Sequence, residues 1–256
     1  MTLQSKSGSN IEQAMAVLQE DTQPAPLPPS LAASKDDPSL VDGPLPTLDF
    51  AGNIEPFGTK PPYESESKLA RKVLSGVPTN CIPLEVASYF WAVGDGRYGE
   101  ELKPYVVAGE ERWNPVIVEF FKATGTKPEG DSTPWCAALI NYCLVRGAIS
   151  RTLPTNSSAP TKSAWAKSFL DWGQPTTMPR PGDIVVFDNY VSGGGHVAFF
   201  LVDQGDKVLV LGGNQRYGQP PRQSICKKSY VKMPKDKSEG VLKLLGYRTD
   251  PQLQQQ

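Results

Sequence analysis

The chain has 256 residues, 26 Lys and Arg against 27 Asp and Glu, and 39% hydrophobic side chains, enough for one large domain or two small ones. Neither half carries a basic block suited to a phosphate backbone, and no run approaches the ~20 apolar residues of a membrane span, so nucleic-acid binding and a membrane span are not expected. Four cysteines without a C-x-x-C pair and a single histidine argue against a metal centre or a disulfide framework, and no cofactor is expected.

The opening residues MTLQSKSGSNIEQAMAVLQED lack a continuous apolar core and an A-x-A site, so they do not resemble a secretory signal, and synthesis in the cytoplasm is expected. Residues 1–65 are expected to form a disordered Pro-rich leader. Residues 1–62 hold ten prolines, with the runs PAPLPP and GPLPT and few large apolar side chains, too little to offset the entropy of ordering. The first 70 residues contain ten acids and four bases, so the leader end is acidic, near −6, and the remainder near +5. The lysines from Lys227 to Lys243 are interrupted by Asp236 and Glu239 and read as a solvated surface.

Residues 66–130 read as a helical lead-in. LEVASYFWAV and WNPVIVEFFKATG carry apolar residues at three-to-four spacing, with Trp113, Val116, Ile117 and Phe120 on one face and Gly125 as a stop; GDGRYGEELKPYVVAG between them is turn-rich and carries no assignment. A core domain follows over residues 131–251, with a short tail at 252–256. DSTPWCAALINYCLVRGA predicts a helix with Thr133 as N-cap, Pro134 at the first position and Gly147 at the end. APTKSAWAKSFLDWG predicts another, with Trp165, Phe169 and Trp172 on one stripe. GDIVVF, HVAFFLVD, KVLVLGG and LKLLGYR then read as strands of a small antiparallel sheet. The expected class is α+β, helices first and sheet after.

Three residues along this order could carry chemistry. Cys136 falls in the first turn of its helix, where unpaired N–H groups and the positive end of the dipole favour a thiolate. Cys143, seven residues on, lies deep in the same helix and reads as core. His196, the only histidine, opens a strand after a Gly-rich loop, at the edge where a proton carrier has to sit. If HVAFFLVD and KVLVLGGN pair through a turn at 204–206, Asn214 returns beside His196 and its amide oxygen can fix the imidazole; Gln215 is a nearby substitute. Taken singly, each has a plainer reading: a buried core thiol, a polar strand end, a turn asparagine.

The order PWCAALIN, SAWAKSFLDWG, RPGDIVVF, GHVAFF, VLGGNQ and LGYR resembles the CHAP/NlpC-type cysteine amidohydrolases over roughly Val86 to Pro251. The resemblance implies a papain-like fold and cleavage of amide bonds in peptidoglycan stem peptides, with Cys136 as nucleophile, His196 as base and Asn214 as orienting group. Many CHAP domains carry an acidic residue just before the motif Asn, where this chain has Gly212 and Gly213. Asp131 and Trp135 also match the family pattern; with Gln215 they are taken as candidate substrate-binding residues, although the aspartate also reads as a loop or cap residue and the tryptophan as a cleft wall.

The functional expectation is a cell-wall hydrolase acting on peptidoglycan in the periplasm or cell wall. Delivery is expected from a secretion apparatus, as an antibacterial effector with a cognate immunity protein, or through phage lysis. Two alternatives remain open at this stage: a Cys-His protease, deamidase or acyltransferase acting on a protein target, and a non-catalytic cell-wall binding module.

Overall fold

The computed structural model describes residues 60–149, 152 and 157–254; the expected leader, apart from its last six residues, lies outside them. The elements run α1 (Glu64–Ser75), α2 (Pro83–Gly94), a 3-10 turn (Glu100–Val106), α3 (Pro115–Phe120) continued by a 3-10 turn (Phe121–Ala123), α4 (Cys136–Ala148) and a 3-10 turn (Ala166–Asp171). Six strands follow, β1 (Gln174–Thr176), β2 (Ile184–Asn189), β3 (Gly195–Gln204), β4 (Lys207–Tyr217), β5 (Arg222–Val231) and β6 (Leu242–Thr249), then a last turn of helix, α5 (Pro251–Gln254). The fold is α+β, helices leading and a six-stranded antiparallel sheet following, consistent with a papain-like domain.

Local chemistry accounts for the helix starts. α2 begins with Pro83 in its first turn, where a missing N–H costs nothing, and Glu85 reaches back to accept from the Ile82 N–H at 2.8 Å. Its residues are apolar nearly all round, with Leu84, Val86, Phe90 and Val93 buried, which suits a helix enclosed by its neighbours. In α3 the Asn114 side chain accepts from the Val116 N–H, a true N-cap bond.

The sheet order is β1-β6-β2-β3-β4-β5. On β2 and β3 the alternation of side chains divides two cores. Ile184, Val186, Val197 and Phe199 join the helices in the larger cluster, while Val185, Phe187, Ala198 and Phe200 form a second one with Val208 and Val210 on β4. The Leu244 N–H of β6 donates to the Lys232 carbonyl just past β5, although three strands separate β6 from β5 in the order. The sheet therefore rolls into a half-barrel around the second cluster, with Tyr230, Leu242, Leu244 and Tyr247 packed against it.

Several expectations need correction. The helix predicted over APTKSAWAKSFLDWG is only the 3-10 turn Ala166–Asp171, and Trp165 is 59% exposed rather than part of an apolar stripe. Hydroxyl groups compete for the backbone there: Thr161 Oγ1 accepts from the Ser163 N–H, Ser163 Oγ from the Trp165 N–H, and Asn141 on α4 donates to the Ser163 carbonyl. Trp113 lies ahead of α3 rather than on it. Gly147 is inside α4 and serves close approach, since a Cβ there would sit 2.9 Å from the Cys81 carbonyl oxygen. Three elements, α1, β1 and β5, had no counterpart in the sequence reading, and the tail at 252–256 begins within α5, with Leu253 buried.

Candidate active site

α4 starts two residues later than its sequence predicts. The Thr133 hydroxyl accepts from the Glu129 N–H and does not cap the helix; Trp135 is the N-cap residue, with no side-chain cap bond, and Cys136 is the first helical residue. The first-turn N–H groups are thus left without a side-chain acceptor, directly at the sulfur. Burial pushes the Cys136 thiol above its ordinary value, against the lowering effect of hydrogen bonds from the backbone N–H groups of Val197, Ala137 and Cys136 itself. The expectation of a thiol lowered by its helix terminus is therefore reversed in the resting state. The side chain is 2% exposed, and desolvation outweighs the donors.

Val197, which supplies one of those donors, follows His196 on β3. The recorded pairing of β3 with β4 ends at Phe199↔Leu211, and the β4–β5 register shifts between Gly212 and Gln215. Asn214 sits in this bulge at φ 59, a left-handed conformation that asparagine tolerates better than most residues. Continued without interruption, the β3–β4 register would set Asn214 opposite His196. With the bulge, Gln215 takes that position: His196 Nε2 lies 3.3 Å from Gln215 Oε1, and Asn214 Oδ1 is buried with no hydrogen-bond partner.

The Gln215 amide orientation follows from its other bonds. Its Nε2 donates to the carbonyls of Gly212 at 2.9 Å and Cys226 at 2.6 Å, so Oε1 is the end turned to the histidine. An amide oxygen only accepts, so Nε2 of His196 carries the proton and Nδ1 keeps a lone pair. His196 is 5% exposed, stacked on Phe187 with ring centroids 6.1 Å apart and tilted against Tyr230 at 5.6 Å. Burial pushes its pKa down to about 4, opposed by the Gln215 hydrogen bond and reinforced by Lys228. Burial also raises the Tyr230 hydroxyl, with the Cys226 and Cys136 thiols adding to the shift, which sets both sulfurs in the surroundings of this ring. No hydrogen bond joins Cys136 to His196 among the described residues.

A family model for the CHAP domain matches residues 128–214. That segment is similar to the CHAP domain. Neither a curated protein nor a solved structure matches the chain. A CHAP domain implies a hydrolase of the peptidoglycan amidase kind, and the matched segment runs from the approach to α4 through the β4 bulge. Gln215 stands one residue beyond it, and Tyr230, Lys228 and Cys226 lie on β5, an element the sequence reading missed. SICKKSY carries no regular apolar–polar alternation, with Ile225 and Cys226 side by side and then Lys227 and Lys228, so the sequence offered no clear strand signal.

The three candidate substrate-binding residues, Asp131, Trp135 and Gln215, are all interior. Asp131 is 1% exposed, and its Oδ2 accepts from the N–H groups of Gly109 and Asn114, both at 2.7 Å, tying the loop before α3 to the approach to α4. Burial raises its pKa to about 6 despite those bonds. Trp135 is fully buried under the bulge: a Cβ on Gly213 would lie 2.7 Å from its Cε3 and 2.8 Å from Leu139 Cδ2. It is a packing residue rather than a cleft wall in this state. No group of three or more metal-ligating side chains occurs among the described residues, and no helix there is long and apolar enough to cross a membrane.

Proposed function

We propose that this protein hydrolyses amide bonds in peptidoglycan stem peptides by acyl transfer through Cys136. The observation that carries the reading is the oriented pair: Gln215 holds Nε2–H of the single histidine, leaving Nδ1 as the base, while the Cys136 sulfur lies against the N–H of the next residue, Val197. His196 Nδ1 takes the thiol proton as the sulfur attacks the scissile carbonyl carbon, and the Cys136 backbone N–H helps hold the oxyanion. Nδ1–H then protonates the departing amine, giving a thioester on Cys136. A water that gives its proton to Nδ1 attacks the thioester, releasing the new carboxyl group and restoring the thiol. Gln215 fills the orienting role first considered for Asn214. Thiol and imidazole are both buried in the structure.

The site of action is the periplasm or cell wall, after delivery by a secretion apparatus as an antibacterial effector with an immunity protein, or after phage lysis. Mass spectrometry of purified sacculi digested with the protein is expected to show new amine and carboxyl ends on stem peptides. Cys136→Ala is expected to remove at least about 10³-fold of that activity while keeping the fold. Equal digestion by Cys136→Ala and wild type would overturn the assignment.

A further inference from the structure

We infer that Arg216 forms a carboxylate subsite for the stem peptide, an inference that rests on the hydrolase reading. A cavity of about 580 Å³ lies between the loop at Ala108–Glu110, the approach to α4 at Asp131 and Ser132, and the β4–β5 connection carrying Arg216 and Arg222. Two stretches of its lining are continuous in sequence with the candidate site. Arg216 follows Gln215, the partner of His196, and Ser132 precedes Cys136 by four residues, at most about 14 Å of extended chain. A stem peptide lying in this cavity therefore rests on the chain segments that lead to the sulfur and to the partner of its histidine.

Of the charged side chains lining the cavity, those other than Arg216 have bonding partners in the structure. Arg222 pairs with Glu110 at 3.4 Å and donates to the Ala108 carbonyl. The Asp131 carboxylate is occupied by the Gly109 and Asn114 N–H groups. Arg216 is exposed, and among the described residues no carboxylate lies within ion-pair distance of it; its recorded bond is a backbone one, the Lys228 ammonium donating to its carbonyl oxygen. A guanidinium offers a planar fork of donors that matches a carboxylate in two parallel bonds and an uncharged carboxamide poorly. The ligand is thus a stem residue with a free carboxylate, with Ser132 and Gln223 as further polar lining.

The test uses two muropeptides that differ only in having one stem carboxylate free or converted to carboxamide. Wild type is expected to cleave the free acid with a kcat/KM about tenfold higher, carried in KM, and Arg216→Gln to lose that preference while leaving the amidated substrate unchanged. Equal loss on both substrates, or no loss, overturns the subsite. If wild type cleaves neither, the hydrolase reading fails separately, and the subsite is decided by equilibrium binding of the same two muropeptides to Cys136→Ala and to Cys136→Ala with Arg216→Gln. Tighter binding of the free acid that disappears with Arg216 supports it, and indifference to Arg216 overturns it.

Discussion

Gln215 decides the state of the histidine through bonds that do not involve catalysis. With both amide hydrogens donated to the Gly212 and Cys226 carbonyls, rotating the amide would face two acceptors with an oxygen, so the Oε1 contact to His196 persists. A chain with one histidine gives one set of imidazole resonances, so the titration can be read without assignment. The His196 signal is expected to titrate at about 4 in the folded protein. In Gln215→Glu a carboxylate replaces the amide oxygen, and the same signal is expected to titrate higher, because an adjacent negative charge favours imidazolium. A native value near 6.5 would show that the ring is not buried as described. Cys136, His196 and an amide partner for the imidazole stand out as candidates in the sequence alone. Gln215, offered by the sequence only as a substitute for Asn214, makes the contact, because side-chain alternation on a strand is countable only while the ladder is regular, and the bulge inserts an uncounted residue.

At the level of elements, the bulge is also why two glycines precede Asn214. Gly213 lies over Trp135 and Leu139, and Gly212 faces Ala198, whose Cβ would be 2.8 Å from an added methyl group. Gly213→Ala is expected to cost on the order of 3 kcal/mol by overpacking a fully buried indole, measured by denaturant unfolding. Gly246→Ala, where an added Cβ meets nothing within 4 Å and φ is not positive, is the control and is expected to stay within about 0.5 kcal/mol of wild type. Because Trp135 immediately precedes Cys136, the same substitution is expected to disturb the sulfur as well as the core. Strands β2, β3, β4 and β6 and helix α2 were legible from apolar runs and punctuation. The start of α4 was not: Thr133 and Pro134 are good capping residues, but the hydroxyl is taken by Glu129. In the region 161–165 the hydroxyl bonds that replace a helix depend on Asn141 from another element, which no local pattern reveals.

For the whole molecule, two buried groups set opposing pH dependences. The folded pKa of His196 is depressed to about 4, so between about pH 4 and 6.5 the unfolded chain holds a proton that the folded chain does not, and stability rises with pH. The folded pKa of Asp131 is raised to about 6, so between about pH 4 and 6 the folded chain holds the extra proton, and stability falls with pH. Each contribution is on the order of 3 kcal/mol, and over the shared window they nearly cancel. Asp131→Asn is therefore expected to show stability rising from pH 4 to 6.5 more steeply than wild type, and His196→Gln to show it falling relative to wild type over pH 4 to 6. Parallel profiles for all three proteins in chemical denaturation would refute the opposition.

The covered, neutral sulfur has a consequence outside catalysis. Thiolates, not thiols, attack peroxides and small disulfides, and they do so where solvent can carry those oxidants. A thiol held protonated at 2% exposure beside a neutral imidazole offers neither opening. On the proposed reading, the same packing shields the Cys136 thiol from oxidation while no substrate is bound.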